Sequence, residues 1–163
     1  GNSYAGMVIT GVAAKAAERL KLLVYLDAYV PDDGQSEADL LPAEVRAARQ
    51  AEAAAHGGVL QPPPPEIFGV SDPALADWVK TRFTPHPWAT YAEPVVAGTA
   101  TSAALPRVFV HCTGNPSSTP RLFDASAQKA RGAGWEVYEL AASHLAMLTA
   151  PDEVADLLLV VAA

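Results

Sequence analysis

The chain has 163 residues, a formal net charge of −7, and 50% hydrophobic against 18% charged residues. This is the composition of a globular unit with a sizeable core, which excludes a disordered segment; the acidic balance, with no basic stripe interleaved with aromatics, excludes a nucleic-acid-binding surface. One cysteine, Cys112, excludes an internal disulfide framework, and no run approaches the roughly 18 apolar residues that a membrane span needs.

The chain opens with Gly1-Asn2-Ser3-Tyr4-Ala5-Gly6 and runs directly into the small, apolar stretch Met7 to Ala14. That order is how a nucleophile elbow enters its helix: a serine on a strained strand-to-helix turn, with small residues two before and two after it. Gly1 and Ala5 meet the demand. Amides at the start of the following helix face the space where an oxyanion forms, and the helix dipole favours negative charge there. The backbone N–H of Tyr4 is therefore the first oxyanion donor to name. A Gly/Ser/Gly cluster alone is ordinary turn punctuation; here it is followed by Leu22 to Asp27, a continuous apolar run ending in a carboxylate, as expected of a parallel strand covered on both faces. Elbow, helix and buried strand make a βαβ fragment.

From Pro31 to about Pro94 the composition changes. Asp32-Asp33-Gly34-Gln35-Ser36 reads as a turn, Pro42 to Ala55 as a helix, and Gly57-Gly58 as its break. Pro62 to Pro65 favour extended polyproline II and exclude helix or central strand. Ser71 or Asp72 caps a second helix running from Pro73 to about Arg82. Lying between two core strands, this region fits a cap over an active site. Phe68, Trp78, Phe83, Trp88 and Tyr91 are then candidate pocket walls, and Phe68, Trp78 and Trp88 are taken as substrate-binding; the competing reading is plain core.

After Gly98-Thr99 the doubly wound pattern returns: a strand Arg107 to Cys112, a helix Pro120 to Arg131 ended by Gly132-Ala133-Gly134, and a strand Trp135 to Leu140. Ala141-Ala142-Ser143-His144 follows, and a last helix starts at Pro151-Asp152-Glu153, with two carboxylates at the positive end of its dipole. His144 thus stands at the carboxyl end of a late parallel strand, where α/β sheets put their binding crevice. Of the other histidines, His56 reads as a helix C-cap, His86 as a cap residue at the entrance or without a role, and His111 as a satisfied core side chain. Cys112 reads as a packed thiol. No histidine, cysteine and carboxylate set has metal spacing, so a mechanism without metal or cofactor is expected.

Gly-Asn-Ser-Tyr-Ala-Gly-Met-Val-Ile at the start, Leu-Val-Tyr-Leu-Asp-Ala-Tyr-Val-Pro-Asp-Asp-Gly-Gln-Ser at 23 to 36, and Ser143-His144-Leu145-Ala146-Met147 before the last helix together resemble bacterial α/β-hydrolases, in the esterase-like group similar to plant methyl-ester esterases and hydroxynitrile lyases. The resemblance covers the whole chain and implies an α/β-hydrolase fold, a doubly wound, mostly parallel sheet with a helical cap insertion. Residues 1–30 and 98–163 then form the core and 31–97 the cap. It implies a serine hydrolase acting on carboxylic esters, with Ser3 as nucleophile and His144 as base. Family members place the elbow about a third of the way along, so the chain is expected to be the C-terminal two thirds of such a fold, with the N-terminal half, carrying the second oxyanion donor, as its partner in the same or a separate chain. A small-molecule ester as substrate, a possible homo-oligomer and a cytoplasmic location complete the expectation.

The acid of the triad stays open. In the plant relatives it follows the strand matching Arg107 to Cys112, where this chain has Thr113-Gly114-Asn115-Pro116-Ser117-Ser118 and no carboxylate. Asn115 orients but carries no charge. Asp27, at the carboxyl end of the strand after the elbow helix, is the other candidate, against a reading as a loop-starting cap; Asp124 is expected inside a helix. Rival functions are also open. Hydroxynitrile lyases have a lysine after the histidine, here Leu145, which removes most support for that activity. A cyclase or ligand-binding homologue is an alternative through the departures at Asn2, Ala5, Ser143 and Leu145, and a fragment acting in assembly is another, through the half of the oxyanion hole that the resemblance assigns to the N-terminal half.

Overall fold

The structure, a computed structural model, describes residues 1–98, 100–115 and 123–163. Strand β1 (Asn2–Ser3) turns at once into helix α1 (Ala5–Ala16). Gly6, Met7, Thr10 and Ala13 recur at helical spacing and make its buried stripe. The Thr10 hydroxyl donates to the Gly6 carbonyl at 2.8 Å and shares a 2.8 Å hydrogen bond with the Tyr25 hydroxyl, so the one polar residue on that stripe is satisfied. Strand β2 (Leu23–Ala28) follows, shifted by one residue from the expected run.

Between the second and third core strands the chain makes a long excursion. It contains a 3₁₀ turn Glu37–Leu40, helix α2 (Ala43–Ala55), strand β3 (Val59–Leu60), a second 3₁₀ turn Pro65–Phe68, helix α3 (Pro73–Lys80), strand β4 (His86–Pro87), helix α4 (Trp88–Ala92) and helix α5 (Ala100–Ala103). β3 and β4 pair antiparallel. The two ends of the excursion are tied together: the Gly34 and Val95 amides donate to Val95 O and Gln35 O at 2.9 Å each, and the Asp33 carboxylate accepts from the Ala97 and Gly98 amides at 2.8 and 3.2 Å. One expectation needs correction here. The fourth proline of the run, Pro65, opens a 3₁₀ turn, since proline lacks only a donor that a first turn leaves unused. The turn at Asp32 to Ser36 is present, the Gln35 N–H donating to Asp32 O at 3.1 Å, and it leads into a capping box, with Ser36 Oγ accepting the Asp39 N–H and Asp39 Oδ2 accepting the Ser36 N–H.

Strand β5 (Arg107–Cys112), helix α6 (Asp124–Gly132), strand β6 (Glu136–Leu140), helix α7 (Ala146–Thr149) and helix α8 (Pro151–Ala162) complete the described chain. The main sheet runs β1-β2-β5-β6, parallel throughout. Met7 and Ala13 of α1, Leu23, Tyr25 and Ala28 of β2, Phe109 of β5, and Ala127 and Ala130 of α6 bury one continuous core around it. The expected start of the sixth helix at Pro120 and the loop residues Pro116, Ser117 and Ser118 lie outside the described residues, as does Thr99. Asp124, expected inside that helix, is its first residue. Among the described residues no helix is long and apolar enough to cross a membrane.

Candidate active site

Among the described residues, Ser3 (φ 55°) and Asp27 (φ 43°) are the non-glycine residues held in the left-handed region. Each such conformation costs on the order of 1–3 kcal/mol and persists only where its surroundings over-determine it. At Ser3 the cause is the turn from β1 into α1. Gly6 allows that turn, because a Cβ on it would stand 2.1 Å from the Tyr29 carbonyl oxygen. At Asp27 the parallel pairing of β1 with β2 changes register between Asn2 and Ser3, an irregularity of the kind that re-aims side chains.

Asp27 is 1% exposed. Its Oδ1 accepts the Cys112 N–H at 3.2 Å, and its Oδ2 lies 2.7 Å from His144 Nδ1. With Nδ1 facing a carboxylate, the proton belongs on Nδ1 and Nε2 is left as an acceptor. Backbone contacts also hold His144: its N–H donates to Asn115 Oδ1 at 2.6 Å, and its carbonyl accepts from Asn2 Nδ2 at 3.2 Å. The imidazole stacks on Phe123 at 4.8 Å between centroids, 3° from parallel, with Phe68 at 5.3 Å on another side. A Cβ at Gly114 would meet the Ala142 backbone at 2.9 Å, so glycine lets the end of β5 close against the histidine loop.

Ser3, Asp27 and His144 line one cavity of about 350 Å³ together with Tyr4, Phe68, Tyr91, Asn115 and Phe123. Ser3 Oγ makes no hydrogen bond among the described residues, to His144 or to another group. Such bonds are often long in unliganded sites and tighten when substrate binds. The Tyr4 side chain points into the excursion, its hydroxyl donating to Thr90 O at 2.9 Å and its ring edge-on to His86 and Tyr91.

The aromatic candidates divide. Phe68 lines the cavity and Phe83 backs it at 6.0 Å. Trp78 does not reach the cavity: it is 47% exposed, on the face of α3 opposite its buried Ala76 and Val79, with the Arg82 guanidinium over its ring. Trp88 stands behind Tyr91, 6.3 Å away, and is not part of the lining. His86 lines the cavity, stacked on Tyr91 at 4.3 Å, and burial holds its pKa below the usual value. His56 caps α2 through Nδ1 and Glu52 O at 2.8 Å. His111 pairs with Asp124 at 3.0 Å, its Nδ1 having no partner among the described residues. Burial, and then the negative Asp27, push the Cys112 thiol up to about 12.

Cavity residues that sequence reasoning missed include Tyr29, Glu37, Arg49 and Phe123. Glu37 is 1% exposed and its Oε1 accepts from Arg49 at 3.0 Å. The available signal was Ser36-x-x-Asp39, a capping pattern that places Glu37 at the start of an ordered turn.

The profile of the alpha/beta hydrolase family matches residues 1–157. A carbendazim hydrolyzing esterase of Nocardioides sp. (strain SG-4G) is 39% identical over 96% of this chain and 67% of its own length. Among solved structures, an extracellular alpha/beta-hydrolase from a Paenibacillus species superposes with a TM-score of 0.82 at 24% identity, covering 97% of this chain and 68% of that one. Polyneuridine aldehyde esterase gives 0.68 at 19% identity, covering 100% and 70%. At these identities the two structures show a shared fold.

Proposed function

Because the chain belongs to the alpha/beta hydrolase family, we propose that it is a serine hydrolase of carboxylic esters in which Ser3, His144 and Asp27 act as nucleophile, base and acid. The observation that carries this reading is the 2.7 Å contact between Asp27 and His144 in the cavity that Ser3 also lines. Esterase activity is supported by the name of the 39%-identical relative.

In the proposed cycle His144 Nε2 takes the Ser3 proton as Oγ attacks the ester carbonyl, and Asp27 stabilises the imidazolium that forms. The developing oxyanion accepts from the Tyr4 N–H at the positive end of α1. His144 then protonates the leaving alcohol. A water molecule, deprotonated by the same nitrogen, releases the acid. Residues 31–97 act as a cap, and the rings of Phe68, Tyr91 and Phe123 in the lining suit a small hydrophobic or aromatic substrate.

The test is fluorophosphonate labelling of the purified protein followed by peptide mass analysis, alongside turnover of p-nitrophenyl esters by Ser3→Ala. Label on the Ser3 peptide and loss of turnover in a folded variant are expected. Retained turnover would overturn the nucleophile assignment.

A further inference from the structure

His86 lines the cavity of Ser3 and His144 but takes no part in the proposed chemistry. Its ring is held from two sides: it stacks on Tyr91 at 4.3 Å between centroids and 20° from parallel, and the Tyr4 ring meets it edge-on at 5.1 Å. Its Nε2 lies 2.5 Å from Thr90 Oγ1, and that hydroxyl is also 2.8 Å from Pro87 O. Thr90 is fixed in turn, since its carbonyl accepts the Tyr4 hydroxyl at 2.9 Å. Tyr4 directly follows Ser3, so this part of the excursion is tied to the elbow.

The two contacts of Thr90 Oγ1 set the proton on the imidazole. A threonine hydroxyl has one proton, and the Pro87 carbonyl can only accept. That proton therefore goes to Pro87 O, and the contact with His86 is a hydrogen bond when Nε2 is the donor. In a neutral imidazole one ring nitrogen carries the proton and the other a lone pair, so Nδ1 is the bare acceptor. Burial holds the His86 pKa below its usual value, which keeps the ring in this neutral form near neutral pH. Among the described residues Nδ1 has no hydrogen-bond partner, and it is not one of the unpartnered atoms sealed off from the surface. A few fixed polar groups in an otherwise apolar lining are what orient a ligand. We propose that His86 Nδ1 accepts a hydrogen bond from a neutral donor, a hydroxyl or an N–H, on the substrate, so that the site favours esters carrying such a group over analogues in which it is methylated. The inference rests on the ester-hydrolase reading for the bond that is cut, not for the binding contact itself.

Equilibrium binding tests this without any acyl transfer. The probes are the positional isomers of hydroxyacetophenone and aminoacetophenone, each beside its O-methyl or N,N-dimethyl counterpart, titrated into the wild-type protein and His86→Phe. The ketone presents a carbonyl but no ester bond to cut, and the hydroxyl and amino series report which donor the site takes. For at least one isomer the wild-type protein should bind the donor form roughly fivefold or more tightly than the methylated form. Phenylalanine keeps a ring against Tyr91 but has no lone pair, so the ratio should fall to near one in His86→Phe. A wild-type ratio near one for every isomer overturns the proposal. So does a ratio that survives in His86→Phe, because discrimination by methyl bulk alone does not need the imidazole. Should His86→Phe fail to fold, nitrogen NMR of the His86 ring in the wild-type protein decides. Nε2 protonated and Nδ1 bare at neutral pH is expected, with the Nδ1 signal moving when the donor form binds and not when the methylated form does. A proton on Nδ1, or an Nδ1 signal that the donor form leaves in place, refutes the contact. These outcomes are independent of whether Ser3→Ala retains turnover.

Discussion

Replacing Asp27 by asparagine separates the charge of the acid from its shape. Asparagine tolerates a positive φ better than most residues, so the 43° backbone at this position is no obstacle to folding. The Cys112 N–H, 3.2 Å from Oδ1, is a donor that needs an acceptor, and it fixes which way the new amide turns. The amide oxygen stays on Cys112, and the NH2 group then faces His144 Nδ1 across the 2.7 Å contact. Two donors cannot share that contact, so Nδ1 becomes the acceptor and the imidazole proton moves to Nε2. A protonated Nε2 cannot take the Ser3 proton. The same tautomer trap in serine proteases lowers kcat by about four orders of magnitude, and a loss of roughly 10³–10⁴ in kcat, about 4–5 kcal/mol of barrier, is expected here. Steady-state hydrolysis of p-nitrophenyl butyrate gives the number, and circular dichroism shows whether the variant is folded. Fluorophosphonate labelling should slow in parallel, since it uses the same activated Ser3. A folded variant with kcat within about fivefold of the wild type would refute the role given to Asp27.

Two further outcomes follow from packing. Gly6→Ala sets a Cβ 2.1 Å from the Tyr29 carbonyl oxygen, a backbone clash that no side-chain rotation relieves; a loss of about 3 kcal/mol or more is expected, read as a fall of several degrees in Tm, and an unchanged Tm would contradict the close approach. Cys112 is 3% exposed, and its thiol is pushed up to about 12 by burial and by Asp27; at pH 8 it should resist a thiol reagent in the native protein and react fully in denaturant, whereas rapid native labelling would contradict the burial.

The parts of the fold legible in the sequence are those whose signal is local. Arg107 to Cys112 was readable to the residue because Val108-Phe109-Val110 at its centre is the short apolar, β-branched and aromatic run of a parallel strand covered on both faces. Ser71 and Asp72 were both readable as the cap of α3, and Asp72 is the one whose carboxylate accepts the Leu75 N–H, at 2.7 Å. The exposure of Trp78 is legible in its helix: Ala76 and Val79 set the buried stripe at i, i+3 spacing, and Trp78 falls off it. Glu37 was out of reach for a different reason. An acidic residue in a stretch rich in aspartate reads as solvated, and only the folding of α2 against the turn, bringing Arg49 to within 3.0 Å, makes it buried and paired.

Asp27 lies between these cases, since its position at the end of β2 was legible but its partner is 117 residues away. What brings the two together is a set of hydrogen bonds around the strained turns. Asn2 Nδ2 donates to the Leu26 carbonyl at 2.9 Å and to the His144 carbonyl at 3.2 Å, so one side chain beside Ser3 binds both the strand carrying Asp27 and the loop carrying the histidine. Asn115, in the segment directly after β5, accepts the His144 N–H at 2.6 Å. The Tyr29 N–H closes the arrangement on the Ser3 carbonyl at 3.2 Å. Asn2 and Asn115 therefore serve the geometry without carrying charge, which is why a chain that lacks the acid after β5 still has a carboxylate on the imidazole. The two left-handed residues are the strained points of this frame, and the hydrogen bonds that span them are what over-determine their conformations.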